Sequence, residues 1–403
     1  MHFSRQCLIA RCQTTAALTL SASLLGVGCT SSNAATADSH ADTNHQTASK
    51  SDAKSQVKTG VSVSADKLTN VQPTGEKPKW GPTIDPQMQA VIEEFGSFEP
   101  PKYPELTPFQ VRNAVLPANA VQSLAMKTGL PAAEPKVDIA HKVLPVGPDE
   151  GLLVRTYTPI DAQGKLPVVV YYHGGGWVIA DLDAYEPSAK ALAQKANAVV
   201  VSVAYRLAPE HTYPAAHEDA FAAYEWVTKN AGQINGDPKR IAIAGESAGG
   251  NMAITTALLA AERGVAKPVH VVSVYPVADG DVQSASYDKY AQAKPLNRPF
   301  MEWFFNTYTP DWENGSADYP LINLVDRDDL GELPPTTIIN AEIDPLAAEG
   351  EMLAQKIEQA GGTVMHKSYP GVTHEFFGMH AVLEQAEEAQ QLAADQLNKA
   401  FKR

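Results

Sequence analysis

A serine between glycines, Gly245-Glu246-Ser247-Ala248-Gly249, follows the apolar run Ile241 to Ala244 and precedes a helix-like stretch reaching Gly264. This is the G-x-S-x-G pattern, in which small neighbours let a serine occupy a strained strand-to-helix turn with its hydroxyl presented outward. A serine hydroxyl is a poor nucleophile until a base takes its proton, and the base needs an acid to orient it. With such an elbow both partners follow the serine, acid before histidine, on loops after later strands. Asp344 fits the acid: it ends the strand-like segment opened by Thr336 to Asn340 and stands just before Pro345. His374 fits the base, in a loop after the segment Thr363 to Gly371. Glu342 is the rival acid but still belongs to the strand; His366, inside a predicted strand, and His380, beyond the loop, are read as structural. His217, next to Glu218, is read as an N-terminal helix residue on a polar face. No group of His, Asp and Glu has metal-ligand spacing, so no metal or cofactor is expected.

Acyl transfer also needs donors for the negative oxygen of a tetrahedral intermediate. The segment His173-Gly174-Gly175-Gly176-Trp177 directly follows the apolar run Val168 to Tyr172. Its glycine backbone can approach a substrate closely, and its N–H groups can join that of Ala248, the residue after the nucleophile.

These groups must be positioned by a scaffold, and one is legible. Val168 to Tyr172, Ala198 to Ala204, Ile241 to Ala244, Val269 to Val274 and Thr336 to Asn340 are short, continuous and mostly β-branched, as strands buried on both faces are. Helical segments separate them, the pattern of a mostly parallel sheet covered by helices. Asp279 to Gly331 breaks the alternation with aromatic residues, among them Phe300, Trp303, Phe304, Phe305 and Tyr308, and is read as a helical insertion over the carboxyl edge of the sheet. Trp177, Phe376, Phe377 and the insertion's aromatics are read either as an acyl pocket or as core. Ahead of the sheet, Asp85 and Pro86 open a helix to Phe98, and Thr107-Pro108 opens a second, to about Leu116. Arg206 and Glu210 are expected to pair and hold a loop.

The 403 residues, 44% hydrophobic and 19% charged, suffice for one large core or two modest ones. A net charge of −14, without clustered Lys and Arg, argues against a nucleic-acid partner. The first part of the chain is not expected to join the core. Arg5 and Arg11 precede the charge-free run Ala16 to Gly28, which is too short for a membrane span and fits a signal peptide. The sequence ending at Cys29 resembles a bacterial lipobox, although Gly26 stands where leucine is usual. A lipid on Cys29 gives an envelope lipoprotein; the competing outcome, cleavage after Ala35-Thr36-Ala37, gives a soluble periplasmic or secreted protein. The predicted organisation is therefore a signal peptide over 1–28, a tether over 29–79, cap helices over 80–135, and a catalytic domain over 136–403 with a cap insertion near 279–331. The tether carries no aromatic residue and cannot offset its ordering entropy by burial. Cys7 and Cys12 fall in the leader, so no disulfide is expected in the mature domain.

Taken in chain order, HGGGW, YRLAPEHTYPAAHEDA (Tyr205 to Ala220), GESAGGN, DPLAAEGE and HEFFGM resemble the hormone-sensitive lipase family of α/β-hydrolases, the bacterial family IV esterases, from about Ile84 to the C-terminus. The resemblance implies an α/β-hydrolase fold of about eight strands with a helical cap built from the N-terminal helices and the insertion. It implies a serine esterase for short to medium acyl esters with Ser247 as nucleophile, His374 as base and Asp344 as acid. Gly175, Gly176 and Ala248 become the oxyanion donors, supported by His173, Gly174, Gly245 and Gly249. Glu246 stands where many members have Asp, and Glu375 where many have Gly. An amidase, lactonase or deacetylase would use the same atoms, whereas a non-catalytic binding protein on this fold would typically lack one of the three.

Overall fold

The computed structural model describes residues 68–130, 136–148, 151–312 and 319–402. The expected leader, Cys29 and the tether as far as residue 67 lie outside the described residues. Leu68 and Val71 are already buried, and the backbone N–H groups of Thr74 and Gly75 donate to Glu93 at 2.6 and 3.1 Å. Packed chain therefore begins before Lys79, where the tether was expected to end. Two apolar residues and one carboxylate hold a segment whose polar composition hides them.

Eight strands form one sheet: β1 (Val137–Leu144), β2 (Leu152–Pro159), β3 (Leu166–Tyr172), β4 (Val199–Val203), β5 (Gly236–Glu246), β6 (Val271–Val274), β7 (Thr336–Ile343) and β8 (Val364–Thr373). Their order is β1-β2-β4-β3-β5-β6-β7-β8, antiparallel at β1/β2 and β2/β4 and parallel from β4 onward. Every residue of β3, β4 and β6 is buried, which accounts for their uninterrupted valine runs. The edge strands β1 and β8 bury only parts of their length, and their sequences are correspondingly mixed.

Ahead of the sheet stand α1 (Pro86–Ser97), α2 (Pro108–Arg112) and α3 (Pro117–Lys127). Asp85 caps α1 as expected, accepting from Gln87 N–H at 2.8 Å. The helix expected from Thr107 to Leu116 ends at Arg112, because Leu116 precedes a proline and adopts an extended conformation, and α3 starts afresh at Pro117. Flanking the sheet are α4 (Glu186–Ala196), α5 (Ala215–Asn230), α6 (Ala248–Glu262), α9 (Ala347–Gln359) and α10 (Glu384–Phe401), with α7 (Ala285–Lys289) and α8 (Arg298–Tyr308) in the insertion. Helix α6 is buried from Ala248 to Ala260, and its Ala- and Gly-rich sequence lets it lie close to β5 and β6. Helix α8 meets the N-terminal segment: the Phe300 ring lies 5.2 Å from that of Tyr103, and Trp303 Nε1 donates to Leu106 O at 3.2 Å.

Candidate active site

Ser247 stands between the last residue of β5 and the first of α6, with φ 57° and ψ −120°. This left-handed conformation costs a side-chain-bearing residue about 1–3 kcal/mol and is held by what surrounds it. A Cβ on Gly249 would lie 2.1 Å from Tyr172 O, and one on Gly245 2.1 Å from Gly249 O, so β3 and the turn leave room only for glycine. Ser247 N–H is anchored to Val274 O at 2.9 Å.

Asp344 follows β7 and His374 follows β8, so the three groups share the carboxyl edge of the parallel strands. His374 Nε2 lies 2.9 Å from Ser247 Oγ and its Nδ1 lies 2.6 Å from Asp344 Oδ2. Asp344 Oδ1 accepts from Leu346 N–H at 2.9 Å, which fixes the carboxylate plane. The line is shielded: Asp344, His374 and Ser247 expose 0%, 3% and 5% of their surface. Burial by itself pushes the imidazole toward its neutral form, but the neighbouring carboxylates, Asp344 first and then Glu375 and Glu246, together raise His374 above its ordinary value. Glu342, the rival acid, lies within β7 and accepts from Thr83 Oγ1 at 2.9 Å and Gly371 N–H at 2.8 Å.

The loop after β3 faces the serine. Gly175 and Gly176 have φ of 96° and 57°. Among the described residues, none accepts a hydrogen bond from the N–H of Gly175, Gly176 or Ala248. With Ser247 and His374, these glycines border a pocket of about 60 Å³ whose apolar wall includes Tyr103, Leu116, Leu296, Phe300 and Phe304. Thus the insertion supplies Phe300 and Phe304 to the pocket, beside Tyr103 and Tyr185 from outside it, while Trp177, Phe376 and Phe377 are fully buried core. His173 stacks on Tyr205 with ring centroids 4.2 Å apart and contacts Gly174 O through Nδ1 at 2.8 Å. Burial holds it to about 4, so it is neutral and braces the loop as a hydrogen-bonded wedge.

Two readings of the sequence are corrected. His217 is buried, with Nδ1 2.8 Å from Tyr308 Oη and Nε2 2.9 Å from Asn251 Oδ1, and burial lowers it to about 4. Its spacing from Ala220, Phe221, Tyr224 and Val227 places it on the buried stripe of α5. Arg206 pairs with Asp219, through Nε and Nη2 at 2.8 Å each, and not with Glu210. Glu210 instead takes Arg112 in a two-pronged pair at 3.0 and 2.8 Å. Arg112 also donates to Val178 O at 2.8 Å, tying α2 to the segment after the glycine loop.

Residues without a motif complete the surroundings. Glu246 accepts from the hydroxyls of Tyr171 and Tyr275, and burial raises it to about 7. The Tyr275 ring centroid lies 4.5 Å from that of His374. Asn251, one turn into α6, donates to Val277 O at 2.9 Å and Ile322 O at 3.2 Å, linking the nucleophile's helix to the insertion.

A serine elbow, a carboxylate and an imidazole in this chain order on one edge of a mostly parallel sheet define an α/β hydrolase. A family model described as alpha/beta hydrolase fold matches residues 169–378. Carboxylesterase NlhH of Mycobacterium tuberculosis is 35% identical over 310 residues, covering 76% of this chain and 93% of that protein. Ethyl acetate hydrolase of Pseudomonas putida is 36% identical over 242 residues, 59% of this chain and 75% of that one. A crystal structure of an esterase from Pyrobaculum calidifontis superimposes with a TM-score of 0.68 at 33% identity, covering 76% of this chain and 97% of its own. A thermostable esterase from Pseudomonas putida gives 0.70 at 29% identity, with 82% and 98% covered. The chain belongs to the α/β-hydrolase fold family, in its hormone-sensitive lipase branch.

Proposed function

We propose that this protein is a serine carboxylesterase that cleaves short- to medium-chain acyl esters through an acyl-enzyme. The observation that carries the reading is the buried line from Ser247 Oγ to His374 to Asp344, at 2.9 and 2.6 Å. His374 Nε2 takes the Ser247 proton as Oγ bonds to the ester carbonyl carbon, and Asp344 holds the other proton on Nδ1. The carbonyl oxygen becomes an oxyanion, for which the N–H groups of Gly175, Gly176 and Ala248 are the free donors. Collapse breaks the bond to the alcohol, which leaves with the proton from Nε2. Water, deprotonated by the same nitrogen, then releases the acid and restores Ser247.

The relatives named for ester hydrolysis support the same chemistry. A pocket of about 60 Å³ walled by Phe300 and Phe304 suits a small acyl group. In a series of nitrophenyl esters kcat/KM is expected to peak at acetate to hexanoate and to fall for longer chains, with the matched anilides far slower. A series that peaks at dodecanoate or beyond, or anilides cleaved faster than esters, overturns the reading.

Export with a lipid on Cys29 is part of the proposal, supported by the charge-free run ending at that cysteine and the polar segment behind it. The mass of the mature N-terminus tests it: a diacylglyceryl group on Cys29 is expected, and an unmodified Asp38 terminus contradicts it.

A further inference from the structure

The catalytic pocket has a larger neighbour. A cavity of about 490 Å³ lies between α3, α4 and the segment 378–381. Pro117, Ala118, Ala184, Tyr185 and Glu375 line both it and the pocket over Ser247, so the two adjoin across that wall.

Most charged groups of the cavity are engaged. Glu186 pairs with Lys190 and with Arg155, and Arg155 also pairs with Asp183. Glu246 accepts from two phenols. His380 contacts Gln390 Nε2 at 3.0 Å, and burial holds it below its ordinary value. Glu375 differs. One of its oxygens accepts from Tyr185 Oη at 2.6 Å, and among the described residues no donor reaches the other. No Lys or Arg of the described chain pairs with it. It sits at φ 73°, a left-handed conformation that disfavours any side chain, yet the chain keeps a carboxylate there. Ser188 Oγ, fully buried, lines the same cavity beside Glu246 and Tyr171.

The mechanism says which end of the substrate this wall meets. His374 must return its proton to the departing alcohol, so that arm lies beside the imidazole, and Glu375 is the next residue in the chain. We propose that the second cavity receives the alcohol arm of the substrate, and that Glu375 selects esters whose alcohol carries a protonated amine. The free carboxylate oxygen accepts the ammonium N–H, and the Ser188 hydroxyl offers a second acceptor to a primary amine. This inference rests on the esterase reading and narrows its substrate class.

The test uses two butyrate esters of the same shape: 2-(dimethylamino)ethyl butyrate, protonated at neutral pH, and its carbon isostere 3-methylbutyl butyrate. The ratio of their kcat/KM values is divided by the ratio of their hydroxide-catalysed rates, which removes the difference in leaving-group reactivity. One charge-assisted hydrogen bond out of bulk water corresponds to a preference of about tenfold or more for the amine. Glu375→Gln, equal in shape and uncharged, is expected to bring the ratio close to one. A ratio of one or less in the native protein overturns the proposal whatever the variant does, and so does a native preference that survives Glu375→Gln. If the native protein cleaves p-nitrophenyl butyrate but neither alkyl ester, the cavity assignment fails and the esterase reading stands. If it cleaves none of the three, both fall.

Discussion

Ser247→Ala lowers kcat for a good ester by a factor on the order of 10⁴ or more while the fold persists. The size follows from what is removed: without Oγ no acyl-enzyme forms, and the rate that remains is what the oxyanion donors give a direct attack by water. The fold should persist because the strain at φ 57° is met by the backbone, through Ser247 N–H on Val274 O and the close approach of Gly245 and Gly249, and alanine changes none of these. Steady-state kinetics on p-nitrophenyl butyrate, with a thermal melt beside them, read both halves. A variant within tenfold of the native rate contradicts the assignment, and one that no longer folds contradicts the account of the turn.

Asp344→Asn is expected to cost about as much, on the order of 10⁴ in kcat, for a reason this structure makes specific. Leu346 N–H donates to Oδ1 at 2.9 Å, so an asparagine here keeps its carbonyl oxygen on that side and turns its NH₂ toward His374 Nδ1. The imidazole must then carry its proton on Nε2 and cannot accept one from Ser247. The pH profile supplies a second readout. His374 acts as base only when neutral, so kcat/KM rises with pH, and in the native protein the midpoint is expected above the ordinary histidine value of 6.5 because Asp344, with Glu375 and Glu246, outweighs burial. Removing the Asp344 charge takes away the largest of these raising contributions and moves the midpoint of the residual activity down. A variant whose midpoint stays in place, or a flat native profile from pH 5 to 8, shows that another group is titrating.

Legibility in the sequence followed burial and chain locality. The strands β3 to β7 are visible where both their faces are covered, in β5 only from Ile241 onward, and their valine and isoleucine runs need no partner to be recognised. Edge strand β1, with Asp138, His141 and Lys142 exposed or partly exposed, carries no such run. Helix α10 buries Ala386, Ala389, Ala393 and Leu397 at helical spacing, a stripe that alanine keeps weak. The elbow, the glycine loop and the segments carrying Asp344 and His374 are each local motifs and were legible as such. What the sequence lacks is pairing between distant segments. Arg206 has Glu210 four residues on, and proximity in the chain made that the natural partner, yet the fold brings Asp219 to Arg206 and Arg112 to Glu210. His217 beside Glu218 looks polar, but Tyr308 and Asn251, far along the chain, provide its hydrogen bonds. The phenols that hold Glu246 behind the nucleophile belong to β3 and to the turn after β6, and no motif joins them.

The most direct measurement is to treat the protein with a fluorophosphonate ester and locate the adduct by peptide mass spectrometry. A phosphonyl group on Ser247 at one per chain, formed in step with the loss of esterase activity, is the expected result. Hydrolysis that continues after complete labelling, or inactivation with the adduct on any other residue, would contradict the claim that this hydroxyl is the nucleophile.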